Sequence, residues 1–166
     1  MLQETIDRIT DNIIMPFVFR KTDQPLLLRE LLELNKNYDD GMKLEGRIPG
    51  FKLRIGRTIL SFLILWNIVL LPVSLVFHRE LAKIDCHLLI LLAIIFTGMF
   101  FGTYMMFKEW LIDRMAHKRI VEAWQNHFPH FAYDKHHKEV AQIYREALEK
   151  EIPSKELFLY IMNKLV

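Results

Sequence analysis

The chain has 166 residues, 52% of them hydrophobic and 25% charged, with 22 Lys and Arg against 20 Asp and Glu. A net charge of +2 excludes a nucleic-acid binder acting through bulk positive charge and a disordered tail of one sign. One cysteine excludes an intrachain disulfide framework and a zinc-finger spacing.

In chain order, Leu2, Ile6, Ile9 and Ile13 recur three and four residues apart and predict a short amphipathic helix that ends at Pro16. Asp23 or Gln24 is placed to cap a second helix opened by Pro25, with Leu27, Leu31, Leu34 and Tyr38 on its apolar face. The stretch DDGMKLEGRIPGFKLRIGR holds four of the six glycines and reads as a turn-rich connector outside the core. Residues 1–57 thus form an N-terminal arm, with ten basic and nine acidic side chains.

Two uncharged runs follow, TILSFLILWNIVLLPVSLVF at 58–77 and LLILLAIIFTGMFFGTYMMF at 88–107. At about 1.5 Å rise per residue, a helix over either run is roughly 30 Å long, the hydrocarbon thickness of a bilayer. Both lie too far into the sequence, and run too long, for a signal-peptide core. They predict two transmembrane helices joined by the short loop 78–87. Basic residues flank the pair on both sides: Lys43, Arg47, Lys52, Arg54 and Arg57 before it, Lys108, Arg114, Lys118 and Arg119 after it. The loop has only Arg79 and Lys83. The positive-inside rule then places both termini in the cytoplasm, and a bacterial inner membrane is the expected location.

The C-terminal arm, 108–166, repeats the ten-to-nine charge balance. Ile112, Ala116, Ile120 and Trp124 carry the second apolar helix onward toward Pro129. Val140, Ile143, Tyr144, Ala147 and Leu148 mark another helix, and Leu157, Ile161 and Leu165 a last one capped by Ser154. Nothing alternates with period two. The expected fold is all-α and membrane-integral: a two-helix hairpin with amphipathic cytoplasmic helices at both ends. Arms of under sixty residues are marginal as separate cores, so their apolar faces should meet each other, a second copy or a partner.

Several residues invite functional readings. Gly98 and Gly102 form a GxxxG spacing that clears a face for close helix approach, either within the hairpin or between copies. Asn67, mid-run, needs a partner for its amide, and Pro72 frees the Ile68 carbonyl and should bend the helix. Neither run contains Asp, Glu, Lys, Arg or His, which argues against a proton-coupled or ion-coupled transporter. Lys52, Arg54, Arg57 and Trp110 suit membrane-interface anchors.

Five of the seven histidines lie between 117 and 137, and His127, His130 and His136 are the weak metal candidates. No HExxH or paired ExxH supports them, and solvated or interfacial histidines are the simpler account. In the loop, His78, Asp85, Cys86 and His87 carry metal-ligating atoms, which is ordinary for so short a segment.

No catalytic signature is present, and no enzyme activity, cofactor or nucleic-acid partner is expected. The leading expectation is a non-enzymatic accessory subunit whose cytoplasmic helices position a protein partner, through Leu27, Leu31, Leu34, Val140, Tyr144 and Leu148. The alternative is a homo-oligomeric pore or membrane-perturbing effector, with the lipid bilayer and further copies of the chain as its contacts.

Overall fold

The computed structural model describes residues 2–21, 24–81 and 83–165. It is almost entirely helical: α1 (Leu2–Ile9), a π turn (Thr10–Ile14), α2 (Met15–Val18), α3 (Leu28–Asp39), α4 (Ile55–Leu81), α5 (Cys86–His127), α6 (Tyr133–Glu149) and α7 (Leu157–Leu165). Two three-residue strands, β1 (Phe19–Lys21) and β2 (Phe51–Leu53), pair as a small ribbon. This corrects the expectation of no strand. Three residues are too few for a period of two to register, and β2 follows directly on Pro49 and Gly50. The chain forms two compact units, Met1–Arg20 with Leu53–Trp110, and Lys21–Lys52 with Leu111–Val166.

In the first unit, α1 passes through the π turn into α2, with the Met15 N–H donating to the Thr10 carbonyl. The helical backbone continues past Pro16 to Val18, so the expected end at Pro16 is moved; the proline falls directly after the π turn, near the start of α2. Thr10, Met15 and Val18 are buried. The start of α4 is tied to this segment: the Arg54 N–H donates to the Val18 carbonyl at 2.9 Å and Arg57 Nη1 to the Phe17 carbonyl at 3.3 Å. The Arg57 guanidinium also sits over the Phe17 ring, 4.9 Å from its centroid.

Helix α4 spans 27 residues and continues through Pro72, and α5 spans 42. Both are long and apolar enough to cross a membrane, and little of their apolar stretches is buried inside the protein. Where they meet, aromatic rings interlock. Phe62 lies 5.3 Å from Phe100, 5.4 Å from Tyr104 and 5.6 Å from Phe107. Trp66 lies 5.7 Å from both Phe96 and Phe100. Such edge and tilted contacts each add about 0.5–1.5 kcal/mol beyond area burial.

The second unit has a conventional core. From Leu111 onward α5 buries Leu111, Ile112, Met115, Ala116, Ile120, Ala123 and Trp124, the three-and-four spacing of a one-sided helix. Helix α3 packs against α6, burying Leu31 and Leu34 on one side and Val140, Ala141 and Tyr144 on the other. Helix α7 adds Leu157 and Ile161. Arg145 of α6 clamps the end of α3, reaching Asp40 at 2.6 Å and Asp39 at 3.0 Å, which raises the guanidinium's pKa through its bond to Asp40 first.

Three local expectations are corrected. Helix α3 begins at Leu28, not at Pro25, because the Glu30 carboxylate accepts the Leu27 N–H at 3.0 Å and closes the first turn. Gln24 is therefore not its cap, and Asp23 lies outside the described residues. The glycine-rich stretch is not outside the core, since Leu44 and Ile48 are buried between its turns. Ser154 does not cap α7, which starts at Leu157; its Oγ instead accepts from Arg29 Nη1 at 3.4 Å.

Helices α3 and α6 end in the same way. After α3, the Gly41 N–H donates to Tyr38 at 3.1 Å and the Met42 N–H to Asn37 at 2.9 Å, with Gly41 at φ +64°. After α6, Glu151 donates to Leu148 at 3.1 Å and Ile152 to Ala147 at 2.9 Å, but the left-handed residue is Glu151, φ +52°. A side chain there costs about 1 kcal/mol relative to glycine. Glu151→Gly should therefore raise the melting temperature of the full chain in detergent, and Glu151→Ala should not. Equal effects of the two would show that the left-handed strain is not what limits this helix end.

Candidate functional site

In the first unit, Gly98 and Gly102 do not serve the hairpin's own packing. A Cβ added at either would meet nothing within 4 Å, because the aromatic ladder on α4 and α5 makes that contact. The glycine face is open. Asn67 does not reach across to α5; its Nδ2 donates to the Leu63 carbonyl of its own helix at 2.8 Å. Thr97 and Thr103 likewise donate one turn back, to Ala93 and Met99, each at 2.7 Å. Among the expected anchors, Arg57 engages α2 through its guanidinium and Arg54 through its backbone N–H alone, Lys52 is exposed on β2, and Trp110 is exposed beside Phe107, ring centroids 6.2 Å apart.

At the turn between α4 and α5, Asp85, Cys86 and His87 offer ligand atoms within 4.8 Å of one another, all three side chains exposed. Cys86 Sγ lies 3.5 Å from His87 Nδ1, which is 3.7 Å from Asp85 Oδ2. Three adjacent, fully solvated residues approach in this way without any enclosing shell.

The weak metal candidates go separate ways in the second unit. His127 donates from Nε2 to the Leu26 carbonyl at 2.8 Å, His130 is exposed, and His136 sets its ring against Phe131 at 5.3 Å. Among the described residues they form no three-ligand group. The region is instead an aromatic cluster. His117 lies 5.8 Å from Tyr38 and 5.5 Å from Tyr133, and Tyr133 stacks on His137 at 4.8 Å and meets Trp124 edge-on at 5.3 Å. Trp124 anchors it by donating from Nε1 to the Phe131 carbonyl at 2.7 Å.

The polar core residues that escaped the sequence reading include Asn35 and Arg119. Asn35 is fully buried and donates from Nδ2 to the His137 carbonyl at 2.8 Å, joining α3 to α6. Arg119, which counts in the sequence only as a flanking positive charge, is buried. Its Nη2 donates to the Gln24 carbonyl, its guanidinium lies 5.4 Å from the Phe51 ring centre, and Nη1 is 3.9 Å from Glu122. The only sequence signal was position: Arg119 directly precedes Ile120 on the buried stripe of α5.

The partner-facing candidates also divide. Leu31, Leu34, Val140 and Tyr144 are buried in the core of their own unit, which removes them as a docking surface: the two apolar faces cover each other. Leu27 and Leu148 remain exposed, at 66% and 45%, and α7 adds exposed Phe158 and Leu159. Comparison with protein-family models, with curated proteins and with solved structures returns no match for the chain.

The Tyr133 hydroxyl is buried and makes no hydrogen bond among the described residues. Burial foremost, then nearby Tyr38, Asp134 and Asp39, raises its pKa well above the usual phenol value. A raised folded pKa means the folded state holds this proton more tightly than the unfolded one. Its stabilising effect is complete below about pH 10, the ordinary phenol pKa, and is lost as pH rises above it. Tyr38 and Tyr144 are raised too, again chiefly by burial, so Tyr133→Phe should weaken the alkaline loss of stability without abolishing it. Melting temperatures at neutral and strongly alkaline pH check this. A variant that melts lower at neutral pH would mean the hydroxyl has a bonding partner after all.

Proposed function

We propose that this chain is a two-span membrane protein, both termini cytoplasmic, in a bacterial inner membrane. Its arms build one helical module that positions a protein partner at the membrane as a non-enzymatic accessory subunit. The observation that carries the reading is the two-part character of α5. Its apolar half leaves large side chains uncovered by the rest of its unit, whereas its second half buries a one-sided stripe and meets α3 and α6 through His117 and Trp124.

The partner-facing surface on this reading is the exposed apolar set that the core leaves over, Leu148, Phe158 and Leu159, with Leu27 at the cap of α3. A second reading, a homo-oligomer built through α5, is favoured by the open glycine face alone. Because a Cβ at Gly98 or Gly102 meets nothing within 4 Å among the described residues, Gly98→Leu should act mainly on a helix from outside the chain that packs on this face.

One experiment separates the two. A photo-crosslinking residue is placed at Leu159 in the membrane-embedded full chain, with Glu149 as a polar control and with or without Phe158→Ser or Gly98→Leu. The accessory reading predicts an adduct of one discrete mass to another protein, formed at Leu159, not at Glu149, and lost with Phe158→Ser. Phe158→Ser gives up the contact of the ring with buried Phe128, centroids 6.2 Å apart, and should lower the melting temperature by a few degrees while leaving the chain folded. Adducts only between copies of this chain, lost with Gly98→Leu, would overturn it in favour of the oligomer.

A further inference from the structure

The segment from α1 through α2 has three faces of different character. One is packed: Thr10, Met15 and Val18 are buried and Ile14 is half-buried. A second is polar, carrying Glu4, Thr5, Arg8 and Asn12. The third is Ile6, Ile9, Ile13 and Phe17, spaced three and four apart and all exposed, Ile13 at 64%. An apolar stripe on so short a helix, uncovered by its own unit, needs an apolar neighbour.

The Phe17 end of the stripe is held in place by the bonds that end the segment. Val18 accepts from the Arg54 N–H and Phe17 from Arg57 Nη1, so the C-terminal end of α2 is level with the first turn of α4. That is where charge stops in α4: Arg54 and Arg57 precede a run from Thr58 to Phe77 that contains none. Exposed Ile55 and Ile59 on the same first turns continue the apolar surface. The cation over the Phe17 ring belongs to that same polar–apolar boundary.

Resting on the membrane reading above, we propose that residues 2–18 form an in-plane interfacial helix, its Ile6–Ile9–Ile13–Phe17 stripe immersed in lipid at the level where α4 enters the bilayer. A short helix with one apolar and one charged face lies in the headgroup region with the apolar face buried about 5–10 Å. The segment carries Glu4, Asp7 and Asp11 against Arg8, so its binding is driven by apolar burial and does not require anionic lipid. The two spans alone would tether the protein; the in-plane helix would add a third contact, one that sets the rotation of α4 about its axis.

The test is the collision accessibility of nitroxide labels in the full chain carrying Cys86→Ser, reconstituted in phosphatidylcholine nanodiscs. Labels sit singly at Ile9, Ile13, Thr5 and Asn12, with Ile94 in the apolar half of α5 as the reference. Lipid immersion predicts that labels at Ile9 and Ile13 collide several-fold more with oxygen than with an aqueous nickel chelate, relative to Thr5 and Asn12. Aqueous behaviour at Ile9 and Ile13 with oxygen-dominated behaviour at Ile94 overturns the interfacial helix and leaves the spans intact. Labels at Ile9 and Ile13 shielded from both reagents overturn it in favour of a protein cover, whether a second copy or a partner. Aqueous behaviour at Ile94 overturns it together with the membrane reading on which it rests.

Discussion

The structure is governed by uncovered apolar surface. Helix α4 and the first half of α5 touch along one aromatic seam, and outside it Ile64, Ile68, Leu75, Ile90, Ile94 and Phe101 stand exposed. Leaving such a side chain in water instead of burying it costs about 1.5–3 kcal/mol, and repeated along two helices this exceeds the 5–15 kcal/mol of net stability of an ordinary domain. A buried helix pair in a soluble core would show the opposite pattern. The proposed placement in a bilayer removes the cost without any further contact. It also accounts for Asn67, Thr97 and Thr103 donating to carbonyls of their own helices, since a polar side chain in hydrocarbon needs a partner close at hand.

The second unit solves the same problem by folding. Its core takes α3 from one arm and α6 and α7 from the other and closes them with the buried stripe of α5. Neither arm supplies enough apolar surface for a core alone, so the two are interdependent. Joining them brings polar groups inside, and the bonds of Asn35 to the His137 carbonyl and of Arg119 to the Gln24 carbonyl offset that cost. The Arg145 clamp on Asp39 and Asp40 fixes α3 against α6 from outside the core. What this packing leaves exposed, on α6 and α7, is the surface that the proposed partner would reach.

Much of this was legible in the sequence because helix periodicity and charge depletion are local signals. The two apolar runs, the continuation of α5 to the residues before Pro129, and the stripes of α3, α6 and α7 all follow from spacing. Helix boundaries were less legible where a side chain decided them: Glu30 moved the start of α3, and Ser154 turned to Arg29. Long-range facts were not legible at all. Spacing cannot say that Leu31 and Val140 face the same core, that Leu44 and Ile48 are buried between glycine turns, or that rings instead of glycines pack α4 on α5. Arg119 was missed because a single basic residue beside a membrane-like run is usually counted as solvated charge.

The central claim is that α4 and α5 cross a membrane in opposite directions, leaving both arms on one side. The chain offers its own probe, since its single cysteine, Cys86, is exposed at the start of α5. A membrane-impermeant maleimide, applied with an impermeant reductant, should label Cys86 in intact cells. With Cys86→Ser and a new cysteine at exposed Asn163, it should label only after the membrane is permeabilised. Labelling of both positions from the same side, or release of the protein by alkaline carbonate, would contradict the account.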